Sequence, residues 1–239
     1  MEKINAQRAL EGIANFSPVT IRRALYRLPL NCDDIRQQLT RAYKAEVARR
    51  KYEQDKTQET PEIAKMLDRV AQWLHTPTPK PFLILMGNVG NGKTTTAFAV
   101  ATLYSTLSEQ AKAKLKNRGM LSDYEKWLWD RLEIAPIWEI TTTQEVVLSS
   151  TNPTKYATLK TAPYLILDEL GVEPMNIKVF GTEVTPIADL LLYRYEKMLP
   201  TILTTNLNAN EIGERYGPRI YDRLKEVGEV LWYNGASFR

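Results

Sequence analysis

Eight residues, Gly87-Asn88-Val89-Gly90-Asn91-Gly92-Lys93-Thr94, fit the spacing G-x-x-x-x-G-K-[ST] and follow a short apolar run, PFLILM. Residue types at this spacing bind phosphate. The glycines let the backbone turn until consecutive N–H groups converge on phosphate oxygens, and the N-terminus of a following helix adds partial positive charge. Lys93 is placed to reach the β- and γ-phosphates and the Thr94 hydroxyl to bind Mg²⁺, with Thr95 completing the cradle. A glycine-rich turn without a ligand would explain the glycines. It would not explain strand, loop, lysine, threonine and helix in that order.

The second candidate group is Tyr164-Leu-Ile-Leu-Asp168-Glu169. An apolar strand here delivers two acids to its C-terminal end, where open α/β sheets bind ligands. Asp168 is expected to hold Mg²⁺ and Glu169 to orient or polarise an attacking water. An acid pair suits transfer of a phosphoryl group to water. A small-molecule kinase would need an acceptor pocket, for which the sequence carries no motif. Thr204-Thr205-Asn206 closes another apolar run and offers Asn206 as a γ-phosphate sensor or as an ordinary helix cap. In Gly217-Pro-Arg219-Ile-Tyr-Asp-Arg223-Leu, the two arginines lie four apart on one helix face. They are either surface cations or groups presented to a neighbour's nucleotide.

These residues need a sheet to bring them together, and the pattern supplies one. PFLILM, IWEIT near Ile137, YLILD at 164–168, TILTT at 201–205 and VLWY at 230–233 read as strands. Continuous apolar runs of this length suit buried parallel strands. Between them, helices are expected from Lys93 to about Ser105, from about Glu109 to Glu133, and over ADLLLYRYEKML. Alternating strands and helices predict a doubly wound α/β sheet.

Upstream, the pattern is helical. Thr60-Pro61-Glu62 marks a helix start, followed by an apolar stripe at Ile63, Met66, Leu67, Val70, Trp73 and Leu74. Ile35, Leu39, Tyr43 and Val47 form a thinner stripe on a charged helix, thin enough to expect a partner outside the chain. The three prolines in 75–81 cannot continue a helix. The expected organisation is a helical region at 1–75, a Pro-rich linker at 76–81 and a nucleotide-binding domain at 82–239.

Composition narrows the classes. One cysteine among 239 residues leaves no internal disulfide framework, and one histidine leaves no histidine-rich metal site. No run approaches a membrane span, and the N-terminus lacks a leader-like apolar core, so no membrane partner and a cytoplasmic location are expected. The net charge of +4 is unevenly spread: residues 1–80 carry 15 Lys/Arg against 10 Asp/Glu, and the remainder carries 17 against 18. The basic N-terminal third suits nucleic acid or an acidic protein surface, or is a solvated helix face.

The order GNVGNGKT, YLILDELG, PTILTTNL, GPRIYDRL and a terminal Ala-Ser-Phe-Arg239 resembles the DnaC/IstB group of AAA+ ATPases over about residues 80–239. The first two motifs are general to P-loop ATPases; the last three, in this order, make the resemblance specific. It implies ATP and Mg²⁺ as ligands, Lys93 and Thr94 in the Walker A motif, and Asp168 with Glu169 in Walker B. Asn206 takes the sensor position and Arg223 that of an arginine finger acting in trans, with Arg219 beside it. Arg239 ends the group's terminal signature. The implied activity is ATP hydrolysis by a homo-oligomer that loads a replicative helicase, with single-stranded DNA bound and the N-terminal region docking on the helicase. The same motifs belong to transposition helpers, which grip duplex DNA and meet a transposase. A P-loop small-molecule kinase, or a nucleotide switch with negligible turnover, is the reading from outside the group. The stretch 109–133 is long for the minimal fold and resembles either the helical insertion that initiator-clade ATPases use at their oligomer interface or a lineage-specific addition, with Trp127 and Trp129 expected as buried anchors rather than stacking platforms for bases.

Overall fold

Asn31 opens helix α1 (Cys32–Arg49): its side chain accepts from the Asp34 N–H at 2.8 Å, and Asp33 and Asp34 occupy the first turn, where the helix dipole favours negative charge. In helix α2 (Pro61–His75), Thr60 Oγ1 accepts from the Ile63 N–H at 3.3 Å and proline takes the first position. The computed structural model describes residues 28, 30–50, 60–76, 80–116, 138–179 and 181–233. Trp127, Trp129 and Arg239 lie outside them.

Strand β1 (Phe82–Gly87) leads through the phosphate loop into helix α3 (Lys93–Lys116). Strand β2 (Glu139–Thr142), helices α4 (Thr143–Ser149) and α5 (Pro153–Thr161) and strand β3 (Leu165–Leu170) follow. A small antiparallel pair, β4 (Ile177–Val179) and β5 (Thr182–Val184), precedes helix α6 (Pro186–Glu196) and strand β6 (Thr201–Thr205). Helices α7 (Ala209–Tyr216) and α8 (Pro218–Val227) and strand β7 (Gly228–Tyr233) end the described chain.

The main sheet has the order β2-β3-β6-β1-β7, and every pairing in it is parallel. Both faces are covered, which is why its inner strands read as unbroken apolar runs. Leu83, Leu85, Ile166, Ile202 and Leu231 pack toward α1, α2 and α3. Phe82, Ile84, Met86, Leu165, Leu167 and Leu203 face the other layer, with apolar residues of α4 to α8. Arg194 of α6, fully buried, fastens this layer by donating to the carbonyls of Ala162 (2.8 Å) and Pro200 (2.7 Å) and to Thr201 Oγ1 (2.8 Å). Its burial pulls the guanidinium down to about 9, so it still carries its proton at neutral pH.

Three expectations are corrected. The stripe Ile35, Leu39, Tyr43 and Val47 finds its partner within the chain: all four are buried in the core shared with α2, α3 and the sheet. The buried Glu46 carboxylate adds a polar lock, accepting from Thr102 Oγ1 at 2.8 Å and from Arg49 at 2.6 Å. The pattern change at 76–81 is therefore crossed by packing and by polar contacts, including Arg69 to Glu229 Oε1 at 2.6 Å. Second, no break separates the helix expected to end near Ser105 from the one expected at Glu109. Helix α3 runs through to Lys116, since residues 106–108 contain neither glycine nor proline. Third, β3 does not stop at Asp168 but continues to Leu170 past an irregularity that shapes the site. Helices α4 and α5 and the pair β4–β5 answer to no expectation from sequence.

Candidate functional site

The parallel sheet brings the C-terminal ends of β1, β3 and β6 to one edge, and the candidate residues converge there. An open cleft is lined by Val89, Gly90, Asn91, Gly92, Lys93, Thr94 and Thr95 of the loop and first turn of α3, by Glu169 of β3, and by Thr204, Thr205 and Asn206. Gly87 and Asn88 form the base of the loop. Gly90 (φ 84°) and Gly92 (φ 92°) adopt the left-handed backbone that lets neighbouring N–H groups point inward. Gly87 is required for another reason: at φ 140° a Cβ there would lie 2.3 Å from the Tyr233 carbonyl oxygen of β7.

Lys93 is buried, and its Nζ donates to the carbonyls of Gly87 (2.7 Å) and Asn88 (2.6 Å) and to Asn91 Oδ1 (3.1 Å). The loop thus holds the ammonium over its own mouth. Asn91, also buried, spends its amide Nδ2 on Tyr233 O at 2.7 Å.

At the tip of β3 the register with β6 slips. Leu167 pairs with Leu203 and Leu170 with Thr205, so Asp168 and Glu169 together oppose the single residue Thr204. Two residues against one is a bulge, which re-aims side chains. Glu169 sits at φ 62°, uncommon for a residue with a Cβ, and its side chain is exposed to the cleft whereas Asp168 is buried. Thr204 replaces the lost ladder bonds: its hydroxyl accepts from the Glu169 N–H at 3.0 Å and donates to Asp168 Oδ1 at 2.5 Å. Thr94 Oγ1 donates to the same carboxylate oxygen at 2.9 Å. Thr143 Oγ1 holds the Glu169 carbonyl at 2.9 Å. The backbone of Glu169 is thus held at its N–H by Thr204 and at its carbonyl by Thr143.

A five-stranded parallel sheet carrying a glycine-rich loop from its β1 into α3, with an acid pair at the tip of β3, is a P-loop NTPase fold. The protein matches no family model and no curated protein. Its chain is similar to solved structures. One is the DnaC helicase loader, at 22% identity and TM-score 0.45, covering 73% of this chain and 92% of that one. Another is DnaI, at 22% identity and TM-score 0.46, covering 94% and 95%. A third, a candidate primosome component from Streptococcus pyogenes serotype M3, is 17% identical with TM-score 0.49 over 83% and 98%. At these identities the likeness is one of fold.

The donor set in the P-loop fits a magnesium nucleotide. A hydroxyl and a carboxylate meeting at 2.9 Å are hard oxygen ligands of the kind Mg²⁺ takes alongside phosphate oxygens. The first-turn N–H groups of α3 have no carbonyl one turn back within the helix and suit phosphate.

Sequence reading missed part of the wall. Tyr43, Val47 and Arg50, from α1 and its end, line the cleft opposite the sheet, and the Arg50 guanidinium lies 4.9 Å from the Phe98 ring centre. Tyr43 and Val47 were visible only as an apolar stripe. Asn206 reaches the cleft, as expected, and is exposed. Arg219 and Arg223 do not line it. Both are exposed on α8, and Arg223 rests 3.2 Å from Glu226 and 4.9 Å from the Tyr195 ring centre. Among the described residues, no helix is long and apolar enough to cross a membrane.

Proposed function

We propose that this protein binds and hydrolyses ATP with Mg²⁺ and acts as an oligomeric loader of a replicative helicase on single-stranded DNA. The observation that carries the hydrolytic part is the convergence of the Thr94 and Thr204 hydroxyls on one carboxylate oxygen of Asp168, with Glu169 turned out beside them. The loop N–H groups and Lys93 bind and orient the triphosphate. Thr94 and Asp168 would hold Mg²⁺, which neutralises charge on the β- and γ-phosphate oxygens when bound. Glu169, held by Thr204 and Thr143, polarises the attacking water, and Asn206 positions that water or senses the γ-phosphate.

Arg223 supports the oligomeric part. A cation exposed on α8 and outside its own cleft is available to a neighbour's γ-phosphate, with Arg219 beside it. In this reading residues 82–239 carry the ATPase, and residues 1–75 carry the contacts to helicase and DNA, the latter supported by the basic N-terminal third. The motif order favours the loader or its transposition-helper counterpart over a small-molecule kinase.

The test is steady-state ATPase activity of the full chain and of Lys93→Ala, with single-stranded and duplex DNA, together with native mass spectrometry against a hexameric replicative helicase. Stimulation by single strands and a stable helicase complex are expected, both with ATP affinity lost in Lys93→Ala. Stimulation by duplex DNA without a helicase complex would select the transposition helper. No hydrolysis in any condition would leave a nucleotide switch.

A further inference from the structure

The loop that follows Glu169 is anchored to a helix that the hydrolytic reading does not use. Gly171, at φ 108°, packs so closely on Leu207 that a Cβ would lie 2.6 Å from the Leu207 Cδ1. Its N–H donates to Glu173 Oε2 at 3.0 Å. The Glu173 side chain is almost wholly buried, and its other oxygen accepts from the Tyr216 hydroxyl. Arg215 closes the cluster by donating to the Glu173 carbonyl and holding its Nε 3.7 Å from Glu173 Oε1. Burial and the adjacent Glu173 carboxylate push the Tyr216 phenol well above its usual range, so the hydroxyl keeps its proton and remains a donor.

The placement of this cluster gives it a consequence. Helix α7 starts at Ala209, three residues beyond Asn206, fixed by a reciprocal cap in which Asn208 Oδ1 accepts from the Glu211 N–H at 3.1 Å and Glu211 Oε2 accepts from the Asn208 N–H at 2.6 Å. It ends at Tyr216, on Glu173. One residue later, after Gly217, α8 begins and carries Arg219 and Arg223. Helix α7 is thus a strut whose first end sits at the γ-phosphate sensor and whose last end sits on the loop of the hydrolytic glutamate. The arginine helix hangs from it.

We infer that Glu173 and Tyr216 are positioning residues that couple a subunit's own Glu169 loop to the placement of Arg223 in its neighbour's site. This rests on the reading of Arg223 as a group acting in trans. The 169–173 loop, through Glu173 and Tyr216, thereby sets where the end of α7 is held and, through it, where α8 aims Arg223.

Mixed assemblies test the coupling. Subunits carrying Arg223→Ala keep an intact pocket and serve as the sites measured. They are mixed with Lys93→Ala subunits, whose own pockets are disabled, and hydrolysis then reports how well the second protein supplies its arginine. Adding Glu173→Gln to the Lys93→Ala subunit is expected to lower kcat in these mixtures about 5- to 150-fold, the range of ordinary coupling energies. KM for ATP stays unchanged, because the measured pocket carries neither change. Tyr216→Phe, which removes one hydroxyl and keeps the ring, is the variant to read if Glu173→Gln does not fold, and it lowers kcat in the same sense. Equal assembly by light scattering and equal melting of the donors are the accompanying controls. Undiminished donation by both variants overturns the coupling alone. Failure of the plain Lys93→Ala protein to restore any activity overturns the trans arginine, and the coupling with it.

Discussion

Asn91 Nδ2 donates to the backbone carbonyl of Tyr233 at 2.7 Å, tying the phosphate loop to the last residue of the edge strand β7. The two residues are far apart in sequence, yet this bond sets the height of the loop above the sheet. The same side chain offers its Oδ1 to Lys93 at 3.1 Å. Asn91→Ala removes both contacts and strands a buried carbonyl. ATP affinity is expected to fall roughly tenfold, the value of about one hydrogen bond with the loop still formed. Titration calorimetry measures it, and unchanged affinity would mean the loop holds its shape without Asn91.

Glu169→Gln keeps the size of the side chain and loses its charge. The variant should bind ATP as the parent does and turn over about 10²–10⁴-fold more slowly, the usual contribution of a general base. Rapid-quench kinetics in single turnover distinguish this from slow product release. Parental turnover would assign the water to another group.

Thr204→Val retains the shape of the side chain while removing the hydroxyl that bridges the bulge. The Glu169 N–H and one Asp168 contact go unmet, at a cost of about 1–3 kcal/mol for each buried polar group left unpaired. Glu169 then leaves its left-handed backbone conformation. The expected signature is a fall in kcat larger than any change in ATP affinity, with melting lowered by several degrees. If kcat does not change, Thr204 serves stability alone.

Arg223→Ala should bind ATP normally and lose the hydrolysis that depends on assembly. A trans arginine contributes about 10³–10⁵ in rate in related phosphoryl-transfer systems. Lysine should rescue poorly, because it lacks the planar fork that grips phosphate oxygens. The measurement is ATPase rate against protein concentration: the parent's specific activity rises with assembly, and the variant's stays flat.

Arg194→Met tests the fold rather than the site. The substitution fills much of the volume but removes the guanidinium donors to the carbonyls of Ala162 and Pro200 and to the Thr201 hydroxyl, of which Pro200 keeps the Leu165 N–H and Thr201 keeps its bond to the Leu199 carbonyl. Stability should drop by about 3–5 kcal/mol, summed from the lost buried hydrogen bonds. Denaturant unfolding gives the number, and ATP affinity of the folded fraction should not move. A loss under 1 kcal/mol would show that water or a repacked core satisfies those groups.

The local part of this protein was legible in its residues. Each main-sheet strand was foreseen as a short apolar run, and the phosphate loop as glycines, lysine and threonine at fixed spacing, because such patterns depend on neighbours within a few positions. The acid pair at the end of YLILD was equally plain. What the tertiary structure decided is everything that depends on register and on packing between distant segments. Whether the stripe Ile35, Leu39, Tyr43 and Val47 faces a partner or its own chain depends on where α1 lands, and it lands on α3, bringing Arg50 to the cleft. A threonine in TILTT looks the same whether it fills a ladder or bridges a bulge. Only the two-against-one pairing of Asp168 and Glu169 with Thr204 makes it part of the site. Glu173 reads as one more surface acid until the fold buries it against Tyr216 and Arg215, where each of its oxygens meets a donor.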